Sequence, residues 1–442
     1  MGGPTTAIER LQSLVRIRTV SYADRELIDP APFKEFARQL AAGFPLLHAK
    51  LDRTVVLDHG MLFHWRGRGA ERPVVLMAHI DVVPVEESDT WQHPAFGAEI
   101  HDGVLWGRGT LDDKGCLAGI CEVVESLLGQ GFVPAQDVWL SFGCDEEVMG
   151  KAAPEAVRIL QDKGIEPWFV LDEGGAVAHD AFPGVSKPLA VIGVTEKGIT
   201  NVRLSVDGRG GHASMPTRMD TTARLARAIL RLDRSPFPSS VPAPTIEMFR
   251  RLADHLPLAL RPLARNAERL KPALARALVA AGPESAAMTR TTAVVTTLSG
   301  SPANNVLASR ATAGINVRIM VGDSVSGVVE RIRTVVKDER VDVEVVESNE
   351  PSPLSPTDDD AFRLLEATIA TTFPDAVPTP YVMMGATDSR FFTAICDRVY
   401  RFAPFRMTRA QRESIHSYDE RIGIDDYLDG IAFYRRLIEA IR

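Results

Sequence analysis

Apolar residues recur at helical spacing from Leu11 to Ala42, interrupted by Pro30 and Pro32, which predicts one helix, a break, and a second helix over Phe33–Ala42. Short β-rich runs follow at Thr54–Leu57, Met61–Trp65 and Pro73–Ala78. The period then alternates: an amphipathic helix over Cys116–Leu128, a strand over Val138–Gly143, a helix over Glu155–Asp162 and a strand over Pro167–Leu171. Near-continuous apolar strands alternating with helices predict an α/β fold, a parallel or mixed sheet covered by helices on both faces.

Past Val194-Thr-Glu-Lys-Gly198 the texture changes. Residues 199–206 alternate as an antiparallel strand does, a Gly-rich turn leads into a helix over Thr221–Leu232, and residues 258–281 keep helical spacing throughout. The arginines of that last stretch read as partner contacts or, more simply, as a solvated helix face. Strand-like runs at Thr291–Leu298 and Ala311–Met320, a helix over Ser324–Val336 and a strand over Val341–Val346 complete a second, α+β unit. Pro351-Ser-Pro-Leu-Ser-Pro356 reads as a linker, after which a helix resumes over Asp360–Thr371.

The chain has 442 residues, 45% hydrophobic and 24% charged, enough apolar mass for more than one core and too much for disorder. Its 50 Lys+Arg against 58 Asp+Glu give a net charge of -8, which argues against a nucleic-acid or anionic-membrane surface. Four cysteines without a C-x-x-C pair fit a reducing compartment. The opening Met1-Gly-Gly-Pro-Thr-Thr-Ala-Ile-Glu-Arg lacks the basic and apolar regions of a leader, and no stretch reaches the ~18 apolar residues of a membrane span. The expectation is a soluble, cytoplasmic protein.

Chemistry enters through where acids and histidines fall. His79 and Asp81 follow one predicted strand, Glu146 and Glu147 a second, Asp172 and Glu173 a third, and Asp112-Asp113 precede a helix. In open α/β sheets, crevices lie beyond the carboxyl ends of the strands, so these groups can converge. Taken singly, each reads as a surface or capping residue, and the acid pairs as helix N-termini. Together they form a self-repelling carboxylate cluster that bound cations would relieve. The admixture of His suits Zn2+, Co2+ or Mn2+ better than Mg2+ alone.

Six ordered motifs, His79-Ile-Asp81, Gly107-Arg-Gly-Thr-Leu-Asp-Asp-Lys-Gly115, Asp145-Glu-Glu147, Leu171-Asp-Glu-Gly174, Gly211-His-Ala-Ser-Met-Pro216 and Gly385-Ala-Thr-Asp-Ser-Arg390, resemble the M20 metallopeptidases, the aminoacylase and carboxypeptidase G2 group. Within it the chain looks most like Gly-X carboxypeptidases and secreted N-acyl-amino-acid hydrolases. The resemblance implies a catalytic unit over 1–195 and 353–442, with a ferredoxin-like lid and dimerisation unit inserted at 196–352. It implies two Zn2+ per subunit: His79 and Glu173 on one, Glu147 and His416 on the other, Asp112 bridging, and Asp172 the fallback for Glu173. Asp81 would fix the His79 imidazole, Glu146 would be the general base, and the Asp112-Asp113 peptide would be cis.

On the lid the resemblance implies that His212 reaches a neighbouring active site in a homodimer and stabilises an oxyanion. Arg318 would grip a substrate carboxylate or sit in a buried ion pair. Asn304 and Asn305 read as substrate contacts or turn residues. Gly385, with Thr387 and Asp388, would form a backbone cradle. Ala386 and Phe391-Phe392 depart from the family pattern, and the two phenylalanines favour a hydrophobic acyl pocket. The expected activity is hydrolysis of N-acyl amino acids or of the C-terminal bond of short peptides, freeing an amino acid. Dipeptidase or N-acetyl-ornithine-type and succinyl-diaminopimelate-type deacylase activity is the near alternative, a silent metal-binding scaffold the distant one. A magnesium phosphohydrolase is disfavoured by the two histidine ligands and by the lack of a P-loop.

Overall fold

In the computed structural model, which describes residues 4–86, 90–181 and 185–442, Pro30 opens a helix rather than ending one. Asp29 caps the helix Pro30–Gly43 by accepting from Ala31 N–H, and proline's missing donor costs nothing in a first turn. The predicted break is therefore the gap after Pro4–Val15, filled by a short 3-10 turn at Arg25–Leu27. Met1, Gly2 and Gly3 of the N-terminal stretch lie outside the described residues.

The predicted mixed sheet forms with ten strands. Gly69–His79 lies between Gln136–Gly143 and Phe169–Asp172 and runs parallel to both, while Val399–Arg401 extends the parallel set beyond Phe169–Asp172. Gly60–Trp65 adds antiparallel to Gln136–Gly143, and Asp52–Val56 antiparallel to Gly60–Trp65. The helices Pro4–Val15, Lys114–Gly129, Asp360–Thr372 and Ile424–Ala440 cover this sheet around one large apolar core.

Among the strands that escaped the sequence reading, two are long. Leu189–Glu196 was obscured by the change of texture that begins inside it, yet it is almost wholly buried. Val377–Met383 carries Pro378 and Pro380, which argue against a strand; it pairs only with Leu189–Glu196, an edge position where a missing N–H is harmless. The predicted linker is also a correction. Ser352 and Ser355 are buried, their N–H groups donate to Glu196 O and Val194 O, and Ser355 Oγ donates to Val399 O, so 351–356 is stitched to the sheet.

The second unit is a four-stranded antiparallel sheet in the order Thr292–Ser299, Arg310–Ile319, Gly198–Asp207, Asp342–Asn349. Helices Thr221–Asp233 and Val325–Val336 supply its apolar partners, giving the β-α-β-β-α-β chain order of a ferredoxin-like unit with its own core. The span 196–352 is nevertheless not one core. Residues 258–281 are two short helices, Arg261–Arg265 and Lys271–Ala281, each with a proline in its first turn. With Ala243–Leu252 they form a third apolar cluster that includes Leu189, Val191, Val377 and Tyr381 of the large sheet. Arg251 binds Glu366 and Pro378 O, and Glu247 accepts from Thr357, fixing these helices to the larger unit. Among the described residues no helix is long and apolar enough to cross a membrane.

Candidate metal centre

The parallel register of three strands delivers the acidic motifs to one place. His79 ends its strand opposite Gly143, and the Gly143 strand end leads directly to Glu146 and Glu147. Phe169–Asp172 stops beside them, with Glu173 next in the chain. Asp112 and Asp113 sit ahead of the helix Lys114–Gly129, joined by a cis peptide as the resemblance implied.

Asp112 is the pivot. His79 Nε2 lies 2.8 Å from Asp112 Oδ1, and His416 Nε2 lies 2.9 Å from Asp112 Oδ2 and 2.9 Å from Glu147 Oε2. Donor atoms of His79, Asp112 and Glu173 fall within 4.8 Å of one another, as do those of Asp112, Glu147 and His416. The five residues singled out as ligands are thus gathered into two groups sharing one carboxylate. Asp172 is turned elsewhere: its Oδ2 accepts from Ser389 N–H at 2.9 Å, which leaves Glu173 facing the centre.

The electrostatics describe a site short of positive charge. Burial pushes the Glu173 carboxyl well up, reinforced by Asp112, Asp113, Asp172 and Glu146, and burial likewise raises Glu146. Burial opposes ionisation of Asp112 as well, but its bonds from His416 and His79 outweigh it and hold this carboxyl well below the usual range. Bonds to Asp112 and Glu147 raise His416 to about 10. Glu147 Oε1 is buried with no hydrogen-bond partner, an orphan acceptor a cation would satisfy. Two divalent cations therefore fit the residues present.

Asp81 acts differently from expectation. The His79 Nδ1 contact at 3.0 Å is with the Asp81 backbone carbonyl, while its nearest carboxylate oxygen lies at 3.4 Å. That carboxylate instead accepts from Ser21 Oγ at 2.7 Å and from the N–H groups of Glu146 and Glu147, each at 3.2 Å. Asp81 thus ties the Glu146-Glu147 turn to the strand that carries His79.

A clasp the sequence reading missed holds Asp112 from behind. Glu420, fully buried, accepts from the N–H groups of Gly109, Leu111 and Asp112 and from Arg108 Nη1 at 2.8 Å. Arg108 also donates to Ser417 O, next to His416, so one ion pair sets both the bridging carboxylate and a distant ligand. Asp419 receives the N–H and Nε2 of Gln92. The signal was present as Asp419-Glu420, but sequence gives no partner for a lone acid pair.

The other expected residues are not members of the two donor groups. His212 is exposed on a two-stranded ribbon, Gly211–His212 with Val306–Leu307, its Nδ1 bonded to Ser214 Oγ at 2.6 Å. Asn304 and Asn305 are exposed in the turn before that ribbon strand, where Asn305 O accepts from Ala213 N–H. Arg318 is half-buried with Asn316 Oδ1 as its partner at 3.2 Å and forms no ion pair among the described residues. Gly385 is half-buried in the loop after Val377–Met383. Of the expected cradle, Thr387 N–H is taken by Glu196, and the neighbouring Ser389 N–H is taken by Asp172. Phe392 is also not a pocket residue, being fully buried in the main core.

Sequence and fold comparisons bear on this geometry. The model of "Peptidase family M20/M25/M40" matches residues 75–440. The chain is 35% identical to a "Probable carboxypeptidase S-like 2" of Dictyostelium discoideum, over 98% of this chain and 84% of that one. It is 34% identical to an "N-fatty-acyl-amino acid synthase/hydrolase" of Xenopus tropicalis, over 98% of this chain and 85% of that one. Its fold matches a solved M20 family metallo-carboxypeptidase from Sulfolobus solfataricus with a TM-score of 0.69 at 18% identity, covering 99% of both chains.

Proposed function

The chain belongs to peptidase family M20/M25/M40, and on that premise we propose that it is a two-zinc amidohydrolase that frees an amino acid from N-acyl amino acids with long apolar acyl groups. The observation that carries the reading is the pair of donor groups meeting at Asp112 with Glu146 beside them. The acyl preference is supported by the 34% identity, over nearly the whole chain, to a relative named for N-fatty-acyl amino acids. A second reading, removal of a C-terminal residue from peptides, is supported by the carboxypeptidase S-like relative.

His79, Glu173 and Asp112 would hold one cation and Asp112, Glu147 and His416 the other. When bound, the pair supplies Lewis-acid polarisation of the scissile carbonyl and acidifies water. Glu146 is held by its own N–H to Asp81, and burial raises its carboxyl well above the usual range, which favours proton uptake by this group. It takes a proton from the attacking water as the new C–O bond forms. It returns that proton to the nitrogen as the C–N bond breaks, leaving a carboxylic acid and a free amine. Arg318, half-buried and with no carboxylate partner among the described residues, would receive the substrate carboxylate in a bidentate contact. His212, exposed and outside both donor groups, would serve the centre of a second copy, and Asn305 and Gly385 would contact substrate. The four free, buried cysteines support a cytoplasmic location.

The test is amino-acid release from N-oleoyl-phenylalanine, N-acetyl-ornithine and Phe-Leu by metal-stripped protein, with and without Zn2+. Zinc-dependent release that is fastest on the oleoyl compound is the expected result. Fastest release from the dipeptide establishes the second reading, and preference for acetyl-ornithine overturns the acyl assignment.

A further inference from the structure

One more group of metal-ligand side chains converges among the described residues, away from the centre: His93, Glu99 and His101, with donor atoms within 4.8 Å of one another. Glu99 and His101 stand two apart on the strand Glu99–His101 and so project from one face. His93 reaches them from the preceding loop. Its ring stacks on that of His101 at 3.8 Å between centroids and 15° between planes, with Trp106 edge-on behind it at 4.8 Å. Both imidazoles address the same oxygen, His101 Nε2 at 2.9 Å and His93 Nδ1 at 3.3 Å from Glu99 Oε2. The spacing resembles the 2.8 to 2.9 Å donor contacts around Asp112. It is also close to the roughly 3.3 Å that separates ligands on a tetrahedral zinc with bonds of ~2.0–2.1 Å.

We propose that His93, Glu99 and His101 form a third, peripheral cation site that takes Zn2+, completed by solvent. Two imidazoles and one carboxylate select a borderline transition metal over Mg2+ or Ca2+, and the half-exposed position leaves room for water as a fourth ligand. Bonds from His101 and then His93 already hold the Glu99 carboxyl below its usual range. The site's role follows from its connections. Gln92, next to His93, is bonded to Asp419, and Glu99–His101 belongs to a three-stranded sheet that ends in Arg421–Gly423, the strand that follows Glu420. An ion here braces the backing of the catalytic centre without touching it, so it affects stability rather than turnover.

The test is zinc content by mass spectrometry of the holoenzyme, equilibrated at rising free Zn2+, with thermal melts at each point. Wild type is expected to bind two equivalents and then a weaker third, with Tm rising as the third binds. His101→Ala and Glu99→Gln alter half-exposed or exposed side chains; both are expected to keep two equivalents and wild-type turnover while losing the third equivalent and its rise in Tm. Saturation of wild type at two, or persistence of the third equivalent in both variants, overturns the site.

Discussion

At the scale of single residues the centre divides into groups that would touch substrate or metal and groups that aim them. Glu146→Gln keeps shape and removes the proposed base, so kcat is expected to fall by about 10²–10⁴-fold with two equivalents of metal retained, read by steady-state kinetics beside metal analysis. Glu420→Ala strands Arg108 in a fully buried place and orphans three N–H groups of the Asp112 loop. Its expected cost is about 3–5 kcal/mol in denaturant unfolding. The metal-facing residues were legible because their types and order are chemically unusual together. The direction of a side chain was not: spacing put Asp81 two residues from His79, but only the fold shows its carboxylate turned to the N–H groups of Glu146 and Glu147. Glu420 was visible only as half of an acidic pair, because its partners lie more than 300 positions away.

At the scale of elements two glycines decide how tightly loops can close. A Cβ on Gly115, in the first turn of Lys114–Gly129, would stand 2.3 Å from Thr110 O and push back the loop that carries Asp112. Gly115→Ala is expected to weaken metal affinity about 10–100-fold, as disturbed ligand supports do, measured by competition with a chelator. A Cβ on Gly150 would fall 1.8 Å from the Asp145 carboxyl carbon. That carboxylate accepts from the N–H groups of Lys151 and Ala152 at the start of the helix Ala152–Asp162. Gly150→Ala therefore costs that helix its cap, about 1 kcal/mol in a melt. The helix Lys114–Gly129 and the buried parallel strands Gly69–His79, Gln136–Gly143 and Phe169–Asp172 declared themselves through periodicity, whereas the helix Ile424–Ala440 and the strand Val399–Arg401 did not. What failed were prolines read without knowing their neighbours: Pro30 at a helix start, Pro378 and Pro380 on a sheet edge, and the 351–356 run held by Val194, Glu196 and Val399.

At the scale of the whole molecule, Lys197 stands where the large sheet passes into the smaller unit. It is buried, with Nζ donating to Ala287 O at 2.6 Å and Arg290 O at 2.9 Å. Burial, helped by Arg318 and Arg290, lowers it from 10.5 to about 8. Between those values the unfolded chain holds more of this proton than the folded one, so the lysine's contribution to stability rises from pH 8 to 10.5 and is lost as pH falls through 8. Lys197→Met is expected to flatten that rise, seen as a smaller difference between urea midpoints at pH 8 and pH 10. The helices 243–287 that leave the smaller unit to pack on the large sheet bear on how the two units move. With them the chain passes between units at 196–198, 233–243, 287–292 and 349–352, four times instead of two. Two neighbouring passages make a door on a hinge, free to swing about one axis. The short 287–292 return, pinned at two of its carbonyls by Lys197, acts as a check strap. Opening is then confined to the slack of a few residues at ~3.3–3.6 Å each, a narrow sliding motion in place of a wide swing.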